Sequence, residues 1–468
     1  MAFGSDQPFQ RSPFTQVVRE GDWAVIWHSL FGYPQIVSAD TLELLNLFTT
    51  PSTLSSKISD DLTEDEQQGV KALLLGYFIV PEGFDDRAHL QHRMQQSEET
   101  IADGSRIKYL ELIMSEVCNF RCIYCIHYGN LEGSDRTFSP DKFMQFETAK
   151  DALDLYIAVL REHGRKIAEV NFGGGEPLFA WPTIKRVLEY CYETYGKEFE
   201  FRFSINTNAV LVTPAIAETL KEFHVEIASS LDGLQEGNDL VRQTKSGQGT
   251  FREIVTSFDI LAEAGYPLSG FSVTITKENF GQLDESVIDW ALARGMTEVR
   301  IDIDVIGMVE VPVSEVAEKL MRIRHYAAKL GVNVPGFWAR PAENLNESTL
   351  DEQVAFCGAV RGNSMCVSSS GGIYACGYSA IQLGTIAQFE SFSAPGGGYH
   401  QLVRNRLTGR PAMCQGCMIE GQCGGGCQIT QEFAQDHDMS KIQRMCDFYR
   451  LMTQEILREL LLQEAEKT

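Results

Sequence analysis

A partial (β/α)6 barrel in an α/β protein is predicted by two patterns: apolar runs alternating with helical periodicity mid-chain, and a change of composition on either side. Six apolar runs, at 109–114, 168–172, 200–205, 225–230, 271–275 and 299–303, are separated by helical patterns. Consecutive parallel strands need a crossover of helical length between them, so β-then-α units imply a parallel sheet with helices outside. Helix starts fit this reading. Ser139 is placed as a cap with Pro140 and Asp141 in the first turn of a helix over 139–160, and Thr213-Pro214 opens another in the same way. Cys191, inside a helical stretch, reads as packed core. Residues 105–335 are assigned to this barrel, residues 1–104 to a smaller unit with its linker, and residues 336–468 to a cysteine-rich unit.

The first unit has its own rhythm. The runs 23–28 and 33–37 flank Phe31-Gly32 as the arms of a hairpin would. Helical stretches are expected at 39–48, with Leu42, Leu45 and Phe48 on one face, at 52–59, and at 63–75, with Val70, Leu73 and Leu74 apolar. A closing strand at 77–80 stops at Pro81. Two strands, three helices and a strand make a small winged-helix-like unit, either a peptide-recognition element or a packing cap. The polar segment 85–104 reads as a linking helix and hinge.

The chain's 468 residues, 44% of them hydrophobic, can bury a large core and several domains. No apolar stretch is long enough to span a membrane, and the first residues lack the basic and apolar regions of a secretory signal. A cytoplasmic protein is expected. A formal net charge of −24 repels a phosphate backbone, so nucleic acid is not an expected partner. In this setting twelve cysteines read as metal or redox ligands rather than as disulfides.

Three of them, Cys118, Cys122 and Cys125, follow the first barrel strand in the spacing Cys-x3-Cys-x2-Cys. Zinc patterns begin with a different spacing and need a fourth ligand, for which His127 is the nearby candidate. A four-iron cluster held by three thiolates instead leaves one iron open. With Tyr124 before the last cysteine, the motif resembles the signature of radical S-adenosylmethionine (radical SAM) enzymes. The resemblance implies that the open iron chelates S-adenosylmethionine, whose reductive cleavage supplies a 5′-deoxyadenosyl radical for hydrogen abstraction. A low-potential donor such as flavodoxin or ferredoxin would provide the electron.

Further matches lie on successive strands. Gly174-Gly175-Glu176-Pro177 resembles the motif whose backbone and glutamate hold the methionine amine. Asn206-Thr207-Asn208 resembles a Thr-Asn-Gly turn, but Ala209 stands where the family has glycine, which leaves the backbone path open. Ser230-Leu231-Asp232-Gly233 resembles the stretch whose serine contacts the ribose, and Arg242 stands where relatives place an arginine that reaches the cofactor carboxylate. Each alone is an ordinary turn. In order on one sheet they imply a cofactor site of Tyr124, Gly174, Gly175, Glu176, Asn206, Ser230 and Arg242. These motifs begin after residue 107, so the barrel is expected to stand without the first unit.

Beyond residue 331 come eight cysteines: Cys357, Cys366, Cys376, Cys414, Cys417, Cys423, Cys427 and Cys446. A zinc ribbon would use Cys414 and Cys417 and leave Cys423, Cys427 and Cys446 unassigned. The spacing resembles the SPASM domain of peptide-modifying radical enzymes, which holds two auxiliary four-iron clusters. The resemblance implies that Cys357, Cys376 and Cys427 hold the nearer cluster and Cys414, Cys417, Cys423 and Cys446 the outer one. Cys366 is either the nearer cluster's fourth ligand or a buried strand cysteine. A last helix over 447–462 places Phe448, Leu451, Leu457 and Leu461 on one stripe.

Together these features imply S-adenosylmethionine and three [4Fe-4S] clusters. They also imply a ribosomally made precursor peptide, joined internally by a carbon–carbon or thioether bond, as substrate. Maturation of a protein-derived cofactor, of sulfatase or quinone type, is the alternative within the class. A multi-cluster electron carrier is the alternative outside it. No catalytic acid or base is identified from the sequence.

Overall fold

The computed structural model describes residues 7–57, 63–95, 104–125, 138–305, 311–347, 356–407, 411–436 and 439–465. His127 lies outside them. Six parallel strands form the centre: β7 Tyr109–Ser115, β8 Ile167–Gly174, β9 Glu200–Asn206, β10 Glu226–Ala228, β11 Gly270–Ile275 and β12 Glu298–Ile303. β7 to β10 pair side by side in chain order, β11 pairs with β12, and one parallel bridge, Ser230 to Ser272, joins the two groups. Helices expected between the strands are present, and Thr213 caps Pro214–Glu222 by accepting the Ile216 N–H. The helix expected over 139–160 is different. A 3-10 turn, Pro140–Lys142, comes first, Phe143 is extended and bridged to Ser115, and the α-helix begins at Phe146. Backbone bonds from Glu116 to Lys142 and from Met144 to Met114 tie this segment to the end of β7, which interrupts the helix.

The first unit has more strands than its sequence pattern suggests. β1 Pro8–Arg11 and β2 Thr15–Glu20 precede β3 Trp23–His28 and β4 Gly32–Ser38. β5 Ser52–Thr53 replaces the first turn of the helix expected at 52–59, of which only Leu54–Lys57 is helical among the described residues. β6 Ile79–Pro81 closes the unit. β2, β3 and β4 form one antiparallel sheet, and β5, β1 and β6 another. β2 escaped notice because its sequence, TQVVRE, has polar residues at both ends and no long apolar run.

This unit is fixed to the rest of the chain. Trp27 is fully buried, packs with Leu345, Leu457 and Leu461, and donates its indole N–H to the Met418 carbonyl at 2.8 Å. Gly421 N–H donates to the Ser29 carbonyl at 2.7 Å, while Leu30 and Phe31 belong to the main core. The linking helix, Asp86–Gln95, is anchored at its first turn rather than hinged there. Arg87 makes a two-pronged ion pair with buried Glu420, and Asp86 accepts a bond from His28 Nε2 at 2.8 Å. The Nδ1 atom of His28 accepts the Leu30 and Phe31 N–H groups, so its proton sits on Nε2; burial lowers the pKa of this ring despite Asp86. This packing runs against the expectation that the barrel stands without its first 104 residues. Removing them would uncover core side chains.

The C-terminal region extends the barrel sheet instead of forming a sheet of its own. β13 Ser364–Val367 pairs parallel with the outer edge of β7, and β14 Gly372–Tyr374 and β15 Gln382–Thr385 continue it antiparallel. The last helix runs Met439–Ala465, starting before the expected 447. Phe448, Leu457 and Leu461 on its stripe are buried. No helix among the described residues is long and apolar enough to cross a membrane.

Candidate cluster and cofactor sites

The loop after β7 is shaped by its neighbours. Gly175 N–H donates to the Ser115 carbonyl and Glu176 N–H to the Val117 carbonyl, so the loop after β8 lies along the cysteine loop. Gly174 sits at φ 113, and a Cβ there would meet the Ser115 carbonyl oxygen at 2.3 Å, which no side chain tolerates. On the other side, Arg121 and Ile123 N–H groups bond the Gln243 and Val241 carbonyls, strapping the loop beside Arg242. Burial pushes the Cys118 thiol up to about 12 and that of Cys122 up to about 11, and each feels Cys125. Such thiols ionise when a metal takes the proton's place.

Glu176 is 0% exposed and joins three of the sequence motifs. Its Oε1 accepts from Leu178 N–H and from Thr207 Oγ1 at 2.7 Å; its Oε2 accepts from Asn208 N–H at 2.9 Å. Burial pushes its pKa up to about 7 against these three donors. Asn208 then reaches back, its amide donating to Asn119 at 2.8 Å. Ala209 takes φ 65, the left-handed conformation that glycine would favour, so the turn has the glycine-like path despite its Cβ. Asn206 is exposed at the end of β9, and Ser230 is half-buried in the bridge to Ser272.

A second network surrounds Asp232, which is completely buried. One of its oxygens accepts from the Tyr124 hydroxyl at 2.5 Å and from Arg242 Nε at 2.7 Å, and the other accepts the Thr274 N–H at 2.7 Å. Burial works against the charge of Arg242, but Asp232, Tyr124 and Cys122 hold it firmly protonated. Asp232 lies within the Ser230–Gly233 motif. Its signal was an acid between the apolar Leu231 and Gly233, at a strand's carboxyl end.

The C-terminal thiols fall into two neighbourhoods. The Cys376 thiol, raised by burial, feels Cys357 and Cys427. The Cys423 thiol, also raised by burial, feels Cys446, Cys414 and Cys417. Cys366 lies on β13 opposite Glu111 of β7, and its thiol bonds to that carboxylate, with Cys376 nearby. Among the described residues no three His, Cys, Asp or Glu side chains close on one point as a single-ion zinc site requires. Cys191 is core, as expected.

Two side chains went unnoticed in the sequence. Glu111 is a buried carboxylate inside β7, its pKa raised by burial, accepting the Gly377 N–H at 3.0 Å and facing Asn171 at 3.4 Å. A lone acid in the run Tyr109 to Met114 was its signal. Tyr378 is 51% exposed, with Glu111, Cys125, Cys376 and Arg242 around its phenol. Its phenol feels thiols of both the Cys125 loop and the C-terminal region, and nothing local in the sequence marks it.

Residues 112–289 match the family model described as the radical SAM superfamily. The chain carries a radical SAM domain. It is 22% identical over 458 residues to a radical SAM cyclopropyl synthase, TigE, of Paramaledivibacter caminithermalis, covering 95% of each chain. A solved structure, native anSMEcpe with bound AdoMet and Cp18Cys peptide, superposes with a TM-score of 0.57 at 18% identity, over 75% of this chain and 99% of that one. SuiB of Streptococcus suis, bound to S-adenosylmethionine, superposes with a TM-score of 0.50 at 15% identity, over 90% of this chain and 96% of that one. At those identities the likeness to the two structures is one of fold.

A radical SAM domain implies S-adenosylmethionine and a [4Fe-4S] cluster. The residues present suit that pair in kind: three thiols that feel one another follow β7, buried Glu176 follows β8, and buried Arg242 follows the helix Gln235–Val241.

Proposed function

We propose that this radical SAM enzyme oxidatively modifies a ribosomally synthesised precursor peptide, joining two of its residues by a carbon–carbon or thioether bond. The observation that carries the reading is the grouping of the C-terminal thiols, Cys376 feeling Cys357 and Cys427 while Cys423 feels Cys446, Cys414 and Cys417. Cys118, Cys122 and Cys125 would hold the cluster that binds S-adenosylmethionine. Cys357, Cys376 and Cys427 would hold a nearer auxiliary cluster, and Cys414, Cys417, Cys423 and Cys446 an outer one, in the manner of a SPASM domain over 336–468. Bound S-adenosylmethionine supplies the radical that takes hydrogen from the peptide. Cys366, whose thiol feels both Glu111 and Cys376, is either the fourth ligand of the nearer set or a buried strand cysteine. The unit at 1–104 would bind the leader by adding it as a strand to an edge of the β2-β3-β4 sheet.

Glu176 would hold the methionine ammonium. A carboxylate has about four acceptor positions, and three are filled by protein donors, which leaves one. The ionised form binds an ammonium, and the group's pKa is about 7, so affinity for S-adenosylmethionine should rise with pH between about 6 and 8. Glu176→Gln should bind more weakly by about 1.5–3 kcal/mol, roughly tenfold to a hundredfold, and lose that pH dependence. Gln is the informative change, since Ala would strand the Leu178 and Asn208 N–H groups. Equal affinity in both proteins would remove Glu176 from the site.

The function itself is tested by co-expression with short reading frames beside the gene, followed by mass spectrometry of the peptide. The reading expects a product lighter by two hydrogens per bond formed, and a leaderless peptide left unprocessed. An unchanged peptide in the presence of active S-adenosylmethionine cleavage would contradict it. Maturation of a protein-derived cofactor is a second reading with one observation in its favour. A sulfatase-type enzyme would have an acid after Cys376, and although Gly377 stands there, its N–H holds the carboxylate of Glu111.

A further inference from the structure

One cation lies buried beside both C-terminal thiol neighbourhoods. Arg406, on the helix Gly398–Leu407, is 4% exposed. Its Nη1 donates to the Gly424 carbonyl at 2.9 Å and its Nη2 to the Gly426 carbonyl at 2.7 Å, while its Nε–H has no hydrogen-bond partner. Among the described residues no carboxylate pairs with it. An unpaired buried guanidinium is strongly unfavourable unless another negative charge stands nearby. The acidic groups that act on its charge are thiols from both neighbourhoods, Cys423, Cys357, Cys427 and Cys414.

The chain is built to keep it there. Gly424, Gly425 and Gly426 are the only residues between Cys423 of one set and Cys427 of the other, and all three have positive φ. A Cβ at Gly425 would come 2.4 Å from Nη1. The glycine link thus wraps the guanidinium at the point where the two thiol sets meet.

We propose that Arg406 is the shared counter-charge of the two auxiliary clusters and raises the reduction potential of both. The inference rests on the two-cluster assignment above. A four-iron cluster on thiolates carries net negative charge, which grows by one when it takes an electron, with no bond made or broken. A fixed cation stabilises the reduced form more than the oxidised one. Both clusters are thereby better placed to accept an electron leaving the substrate.

The test is an EPR-monitored titration with dithionite of the full-length chain carrying Cys118→Ala, Cys122→Ala and Cys125→Ala, so that only auxiliary clusters contribute. Iron analysis of this parent comes first. If it holds no auxiliary iron, the two-cluster assignment fails and this inference falls with it. With clusters present, Arg406→Gln should make reduction of both harder by tenfold or more, about 59 mV for a one-electron couple. Arg406→Lys, which keeps the charge, should stay close to the parent. Unchanged potentials in Arg406→Gln would overturn the proposal. Should Arg406→Gln load no clusters, Arg406→Lys decides: potentials near the parent support a charge effect, and a tenfold shift overturns it.

Discussion

Replacing Cys118, Cys122 and Cys125 together by Ala should abolish S-adenosylmethionine cleavage and remove about a third of the iron. With three four-iron clusters, anaerobic reconstitution loads about twelve irons per chain, and the variant should retain about eight. The selectivity of the loss is the informative part. The cysteine loop is held by backbone bonds from the glycine loop and from residues 241–243, not by the C-terminal thiols, so the auxiliary sets should assemble without it. Iron and sulfide analysis checks the count, and chromatography of 5′-deoxyadenosine checks the cleavage. Loss of all iron would make the sites interdependent, and a zinc protein without iron would sink the cluster assignments altogether.

Trp27→Ala should destabilise the protein by about 3–5 kcal/mol, the usual cost of truncating a fully buried large aromatic. The indole packs where the first unit, the helix Arg340–Glu347 and the last helix meet. Its N–H also holds the Met418 carbonyl, one residue from Cys417. Two consequences follow from one residue: a lower unfolding midpoint, and faster loss of iron from the outer set to a chelator. An unfolding midpoint equal to that of the unaltered protein would mean that the first unit is only loosely attached, against the packing of Trp27, Leu30 and Phe31.

The barrel was legible because each of its strands is an apolar run separated from the next by a helical pattern, and the six observed strands overlap the six expected. The family motifs were legible for a different reason. They set particular residue types at short spacings, so Cys118, Glu176 and Arg242 stand out in the chain. What escaped the sequence depends on long-range pairing. β13 is a short strand whose place beside β7 is set by contact across hundreds of residues, and Glu111 acquires Cys366 and Gly377 as partners only through that pairing. Tyr378 and Arg406 are likewise unremarkable in the chain and gain meaning from the thiols around them. The docking of the first unit was hidden because Trp27 and His28 sit in a run that reads equally well as the inside of an independent hairpin.

The most direct test of the peptide-modifying reading is isotope transfer from a deuterated precursor peptide. The reconstituted full-length enzyme, given S-adenosylmethionine, reductant and that peptide, should yield 5′-deoxyadenosine carrying deuterium together with a dehydrogenated peptide. Deoxyadenosine without deuterium, formed while the peptide stays intact, would contradict hydrogen abstraction from a peptide as this enzyme's reaction.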